Sequence, residues 1–163
     1  MGHWNGTAYD YINEDNINWG IENVRKLMEM WGEHPAVFAV SPLNEPWEKS
    51  DIPTLKKFYR ETRNVVREVN PDLIFVFHDS FFTMASVWND LFPDEDCENV
   101  ALDTHIYMAW ETPKTNISEY CDRIEYMLLY DPEVAAIKYD LWVGEWSLAT
   151  DECGMWLDGM NDE

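Results

Sequence analysis

The chain has 163 residues, 46% of them apolar, and a formal net charge of −21 from 32 acids against 11 bases. That length suits one domain at most, and the apolar fraction builds a core and excludes a disordered tail. The negative field opposes nucleic acid and anionic membrane as partners, and no run reaches the roughly 18 apolar residues of a membrane span.

In chain order, Met1 is followed by polar and aromatic residues rather than the pattern of a signal peptide. Asn5-Gly6-Thr7 is a glycosylation sequon, and His3 reads as a surface residue. Ile17 to Trp31 is a helix, with Ile17, Ile21, Val24, Leu27, Met28 and Trp31 on one stripe and Gly32 at its end. His34 belongs to a turn. A first strand runs from about Ala36 to Ser41 and leads through Pro42-Leu43 into Asn44-Glu45-Pro46. An acid at the C-terminal mouth of a buried strand is badly placed for a core and well placed for chemistry.

Pro53 opens a second helix, where its missing N–H costs little. The apolar stripe of that helix is Leu55, Phe58, Tyr59, Thr62, Val65, Val66 and Val69. Asn70-Pro71-Asp72 is a turn, and a second strand, 73–77, ends at His78-Asp79. A short helix covers Met84 to Leu91. Asp94-Glu95-Asp96-Cys97-Glu98 reads as a solvated loop, not a calcium site. A third strand, 100–104, runs into His105-Ile106-Tyr107. A second sequon, Asn116-Ile117-Ser118, opens a helix to Leu129 that buries Ile117, Tyr120, Cys121, Ile124, Met127 and Leu128. A fourth strand, 141–144, leads into Glu145-Trp146-Ser147, and a last helix begins near Thr150. Cys97, Cys121 and Cys153 have no metal-ligand spacing, and their odd number leaves at least one without a partner in the chain.

Strands alternating with helices imply βα units and a parallel sheet. Every strand ends in a polar or aromatic cluster, so four strand ends converge on one mouth. A doubly wound sheet would do the same, but it normally announces a glycine-rich phosphate loop. The chain has seven glycines and no GxGxxG. Nine tryptophans exceed core needs, and flat aromatic faces suit sugar rings.

The segments Leu43-Asn44-Glu45-Pro46, His78-Asp79-Ser80-Phe81, His105-Ile106-Tyr107 and Gly144-Glu145-Trp146-Ser147, in that order, resemble glycoside hydrolase family 5, and within it most closely the exo-β-1,3-glucanases. The resemblance runs from about Trp4-Asn5-Gly6 to Trp156-Leu157-Asp158-Gly159. It implies a (β/α)8 TIM barrel represented by about four βα units, equivalent to strands 4 to 7. Residues 1–163 would then be a single incomplete catalytic domain without the equivalents of strands 1 to 3 and strand 8, since a full barrel takes about 250 residues.

By that resemblance Glu45 is the acid/base and Glu145 the nucleophile of a retaining mechanism, which needs two carboxyls about 5 Å apart, one neutral and one ionised. Asn44 would bind the sugar 2-hydroxyl. Tyr107 would hold and polarise Glu145, with His105 beside it, and His78, Asp79 and Trp146 would line the cleft. Phe81 and Trp110 would stand at the entrance, Trp110 in place of the family's usual Phe. No cofactor or metal is implied. The partner is a β-glucan or oligosaccharide, and the sequons at Asn5 and Asn116 favour an extracellular or cell-wall location with N-glycans.

Two other readings remain. One is a truncated carbohydrate-binding remnant without catalysis. The other is a different family 5 activity, an endo-β-1,4-glucanase or a mannanase. A half barrel leaves two open sheet edges, so this polypeptide by itself is expected to be poorly stable and weakly active. Robust, Glu145-dependent laminarin turnover by a monomer would contradict that.

Overall fold

A computed structural model describes residues 3–4, 9–10, 14–108 and 116–150. Short strands β1 (His3–Trp4) and β2 (Tyr9–Asp10) pair antiparallel, a pairing the periodicity did not reveal. Helix α1 (Glu14–Trp31) follows, with Glu14 and Asp15 in its first turn, where acids oppose the helix dipole. It buries Ile17, Val24 and Met28. Leu27 and Trp31, expected on the same stripe, are about half exposed. The Gly32 N–H bonds Met28 O and closes the helix. A Cβ there would collide with Met28 and Val69, so the close approach of the two helix ends requires glycine.

Strand β3 is only Ala39–Val40, shorter than the expected 36–41. The Val37 N–H bonds His34 O instead, so a turn consumes the first expected residues. Helix α2 (Ile52–Val69) is capped by Asp51, whose carboxylate accepts from the Thr54 N–H and hydroxyl. Its inner face buries Leu55, Phe58, Tyr59, Thr62, Val65 and Val66, six of the seven positions on the expected stripe.

Strand β4 (Ile74–His78) leads to a four-residue helix α3 (Ala85–Trp88), half the expected length. Strand β5 (Val100–Met108) is followed by α4 (Ile117–Glu125), capped by the Asn116 side chain. The expected continuation to Leu129 is instead a π-helical turn over Tyr126–Tyr130. On this helix Ile117 and Cys121 are exposed rather than buried. Only Tyr120 is fully covered, with Ile124, Met127 and Leu128 packed around it, Ile106 and Met108. A short α5 (Pro132–Ala135) precedes β6 (Asp140–Thr150). The last expected helix lies outside the described residues beyond Thr150.

The sheet order is β3-β4-β5-β6, with all three pairings parallel. Sequential parallel strands joined by helices make this a half barrel. Its curvature is visible in one ring pair. Phe38, just before β3, and Trp142 on β6 have ring centroids 6.4 Å apart. Three strand spacings in a flat sheet would separate them by roughly 14 Å, so the two edge strands curl toward each other over a concave face.

The convex face carries the core. Phe75, Phe77 and Leu102 pack there with Tyr59, Val66, Trp88, Leu91, Phe92 and Tyr139. Trp88 is fully buried, lies against Tyr59 and Phe77, and donates its indole N–H to Phe82 O. Trp88→Ala is expected to destabilise the fold by about 3–5 kcal/mol through the cavity it leaves, measured as a fall in the denaturation midpoint.

Among the described residues no helix is long and apolar enough to cross a membrane. Large apolar side chains are exposed on α1 (Trp19, Leu27, Met30, Trp31) and on β6 (Val143, Trp146). A cavity of about 480 Å³ between α1, α2 and the β3–α2 loop has walls including Ile17, Leu27, Leu43 and Phe58.

Candidate active site

Period-two alternation decides which strand residues reach the concave face. On β4 and β5 it turns His78, Asp103, His105 and Tyr107 inward, opposite to Phe75, Phe77 and Leu102. β6 adds Glu145, and the loop after β3 adds Glu45. The expected strand 141–144 ends before Glu145, but β6 continues to Thr150. Glu145 therefore sits within a strand, beside a register shift against β5. Bulges of this kind re-aim a side chain next to a site.

His105 joins the two glutamates. Its Nδ1 lies 2.7 Å from Glu45 Oε1 and 3.7 Å from Glu145 Oε2. These two legs bring the two carboxylates to one ring nitrogen and are compatible with the ~5 Å of a retaining pair. The Tyr107 hydroxyl donates to Glu145 Oε2 at 2.6 Å. That hydrogen bond, then burial, then the charges of Glu145 and Glu45 push the phenol up to about 12, so Tyr107 remains a donor at any working pH.

Burial pulls the His105 pKa down. The Glu45 hydrogen bond and the charges of Asp103, Glu145 and Glu45 outweigh it and leave it above the ordinary value. His78, whose ring stands edge-on to His105 at 4.3 Å, is held low, first by burial and then by His105, against the opposing pull of Asp79, Asp103 and Glu45. Two adjacent histidines are thus driven apart, one toward the cation and one toward the neutral ring.

His78 and Asp79 were expected to line the cleft. Both are essentially inaccessible, at 1% and 0% exposure. His78 Nδ1 accepts the Ser80 N–H. The Asp79 carboxylate accepts the Phe81 N–H and the Thr83 hydroxyl. These bonds shape the turn after β4 and leave His78 Nε2 buried without a hydrogen-bond partner among the described residues. That turn reaches across to the acid loop, because the Ser80 hydroxyl bonds Pro46 O and Trp47 O, both at 3.0 Å. Sequence reasoning missed Ser80, and its place inside the His78–Phe81 segment was the available signal. Left-handed backbone accompanies this bracing: φ is 41° at Glu45, 54° at Ser80 and 65° at Phe81. Such non-glycine conformations cost about 1–3 kcal/mol each and persist only where surrounding structure enforces them.

Asn44 is exposed beside Glu45, and both border the 480 Å³ cavity. His105, Tyr107 and Glu145 do not border it, so that cavity is the space beside β3 and not the cleft between the glutamates. Phe81 is 45% exposed with its ring against His78, and Trp146 is 65% exposed. Trp110, Asn5 and Cys153 lie outside the described residues. Asn116 is exposed and caps α4, donating to Glu119 Oε1. Cys97 and Cys121 are free thiols. Glu45, His78 and His105 each bring one ligand-type atom within 4.8 Å of the others. The Nδ1 atoms of His78 and His105 are hydrogen-bonded to Ser80 and Glu45, while His78 Nε2 is buried with no hydrogen-bond partner among the described residues.

The fold defines part of a (β/α)8 barrel. Among solved structures, AoRut superposes with a TM-score of 0.64 at 21% identity, over 86% of this chain and 41% of its own. The catalytic domain of endoglucanase Cel5A from Thermobifida fusca superposes with a TM-score of 0.55 at 15% identity, over 91% of this chain and 48% of its own. In sequence, the chain is 30% identical over 156 residues to a glucan 1,3-beta-glucosidase of Blumeria graminis, spanning 90% of this chain and 34% of that protein. It is 26% identical over 159 residues to glucan 1,3-beta-glucosidase 2 of Wickerhamomyces anomalus. No family model matches. The chain spans about a third of the length of the curated relatives it matches.

Proposed function

We propose that this chain carries the acid/base and the nucleophile of a retaining β-glucoside hydrolase, acting on β-1,3-glucan from the chain end and releasing glucose outside the cell or at its wall. The observation that carries the reading is the bridge of Glu45, His105 and Glu145, with the Tyr107 hydroxyl on Glu145. Two carboxylates, one on the loop after β3 and one on β6, brought to one imidazole nitrogen and differently hydrogen-bonded, are the equipment for splitting a glycosidic bond. The names of the relatives support the substrate class.

Tyr107 occupies Glu145 Oε2, so Oε1 is assigned the attack on the anomeric carbon. Glu45 gives its proton to the leaving oxygen as the glycosidic bond breaks, and the sugar becomes an ester of Glu145. Glu45, now ionised, takes a proton from water. The resulting hydroxide attacks the anomeric carbon, frees Glu145 and restores the acid. Asn44 binds the 2-hydroxyl, and Phe81, Trp110 and Trp146 offer apolar faces to sugar rings.

Product analysis on laminarin tests this reading, with single glucose units as the expected early product. Preferential cleavage of cellulose would favour the endo-β-1,4 alternative, and mixed oligosaccharides from laminarin would overturn the exo reading. Sugar binding without hydrolysis would favour the non-catalytic remnant.

A further inference from the structure

The carboxylate behind His105 has no part in the scheme above. Asp103 lies two residues before His105 on β5, so both side chains leave the strand on the same concave face. Its Oδ2 is 3.3 Å from His105 Nε2, and its Oδ1 accepts the Gly144 N–H at 2.7 Å. Gly144 is the unpaired residue of the register shift, between the Thr104–Val143 and His105–Glu145 pairings. A Cβ at Gly144 would run into the Asp103 carboxylate. The glycine before Glu145, the shift and the partly buried acid therefore form one arrangement beside the far nitrogen of His105.

We propose that Asp103 is a positioning residue that fixes the His105 proton on Nε2 and so makes His105 Nδ1 the reserve carrier of the acid proton of Glu45. A carboxylate only accepts hydrogen bonds, so Asp103 Oδ2, 3.3 Å from Nε2, favours the tautomer with N–H on Nε2. Nδ1 then faces Glu45 Oε1 at 2.7 Å with one proton between them. Either the Glu45 O–H donates to neutral Nδ1, or imidazolium N–H donates to the Glu45 carboxylate. The proton moves between oxygen and nitrogen with no change in the net charge of the pair. Glu45 is thereby kept charged with its proton between turnovers, although its side chain is 37% exposed.

The groups facing His105 are few. Glu45 comes from the β3–α2 loop, His78 from β4 with Asp79 behind it, Asp103 and Tyr107 from β5, and Glu145 from β6. Among the described residues facing His105, His78 is the one other base, and burial lowers its pKa. The negative charge that favours a proton on His105 therefore comes from Asp103 and the two glutamates.

The inference rests on Glu45 being the acid/base, but its test does not require turnover. Imidazole ¹⁵N NMR of the chain should show His105 as the Nε2–H form at high pH, titrating above the ~6.5 of free histidine. In Asp103→Asn that midpoint should fall by about one pH unit. The acid form is then lost at a lower pH, so the alkaline limb of kcat/KM for laminarin should shift down by a similar interval. Hydrolysis of an aryl glucoside with a strongly acidic leaving group needs no proton donor and should keep its pH profile; a merely structural role for Asp103 would lower both substrates at every pH. An Nδ1–H tautomer in the wild type, or an unchanged His105 midpoint in a folded Asp103→Asn variant, would overturn the proposal. The tautomer test needs no variant. The expected NMR result together with hydrolysis that does not depend on Glu45 would sink the proposed function and leave the assignment of Asp103 standing.

Discussion

Replacing Glu145 by glutamine is expected to lower kcat on laminarin by on the order of 10⁴–10⁶-fold, the scale seen when a covalent nucleophile is removed from a working constellation. The amide matches the carboxylate in size, and its carbonyl oxygen can still accept the Tyr107 hydroxyl that now bonds Oε2 at 2.6 Å. Packing is therefore preserved, and the loss is in chemistry: an amide oxygen does not attack an anomeric carbon to form a stable glycosyl ester. Glucan binding should survive roughly intact, and isothermal titration with laminari-oligosaccharides measures it separately from turnover. Residual hydrolysis within tenfold of wild type would remove Glu145 from the role.

Glu45→Gln should cost about 10²–10⁴-fold on the same substrate, the range of general acid–base assistance. The defect should depend on the leaving group. Cleavage of an aryl glucoside that departs without a proton should form the glycosyl-enzyme nearly normally and then stall, because no base activates water. A burst of phenolate followed by slow turnover is the expected trace in rapid-mixing kinetics, and equal slowing of both steps for both substrates would argue against the assignment. The Gln amide can also donate to His105 Nδ1, now 2.7 Å from Glu45 Oε1, so the ring should keep its place while losing its proton partner. These two variants thus probe the two ends of the His105 bridge.

Much of the architecture was legible along the chain because its elements carry strong local patterns. α2 follows its apolar stripe closely, and the four parallel strands occur in the expected order. Element limits were less legible where tertiary partners set them. β6 runs on to Thr150 because β5, extending to Met108, offers it a partner, and nothing local marks that. α4 loses its regular pitch at Tyr126, and Ile117 and Cys121 face solvent. The expected stripe described a longer helix than the one that packs on Ile106 and Met108.

The site divides in the same way. Sequence alone marked Glu45, Glu145, His105 and Tyr107, because acids and aromatics at the ends of apolar strands are costly unless they serve chemistry. It could not tell which polar residues would be open to a ligand. His78 and Asp79 looked like cleft residues and are buried braces, since the turn after β4 folds back onto their side chains. Nor could it assign Asp103, which reads as an ordinary strand residue until the register shift turns the Gly144 N–H and the His105 Nε2 toward it. Residue type and period are properties of the local chain, and they determined the strands, the helices and the pair of glutamates. Burial, register and the distance between residues 45, 105 and 145 depend on how the strands curl together, and only the tertiary structure decided them.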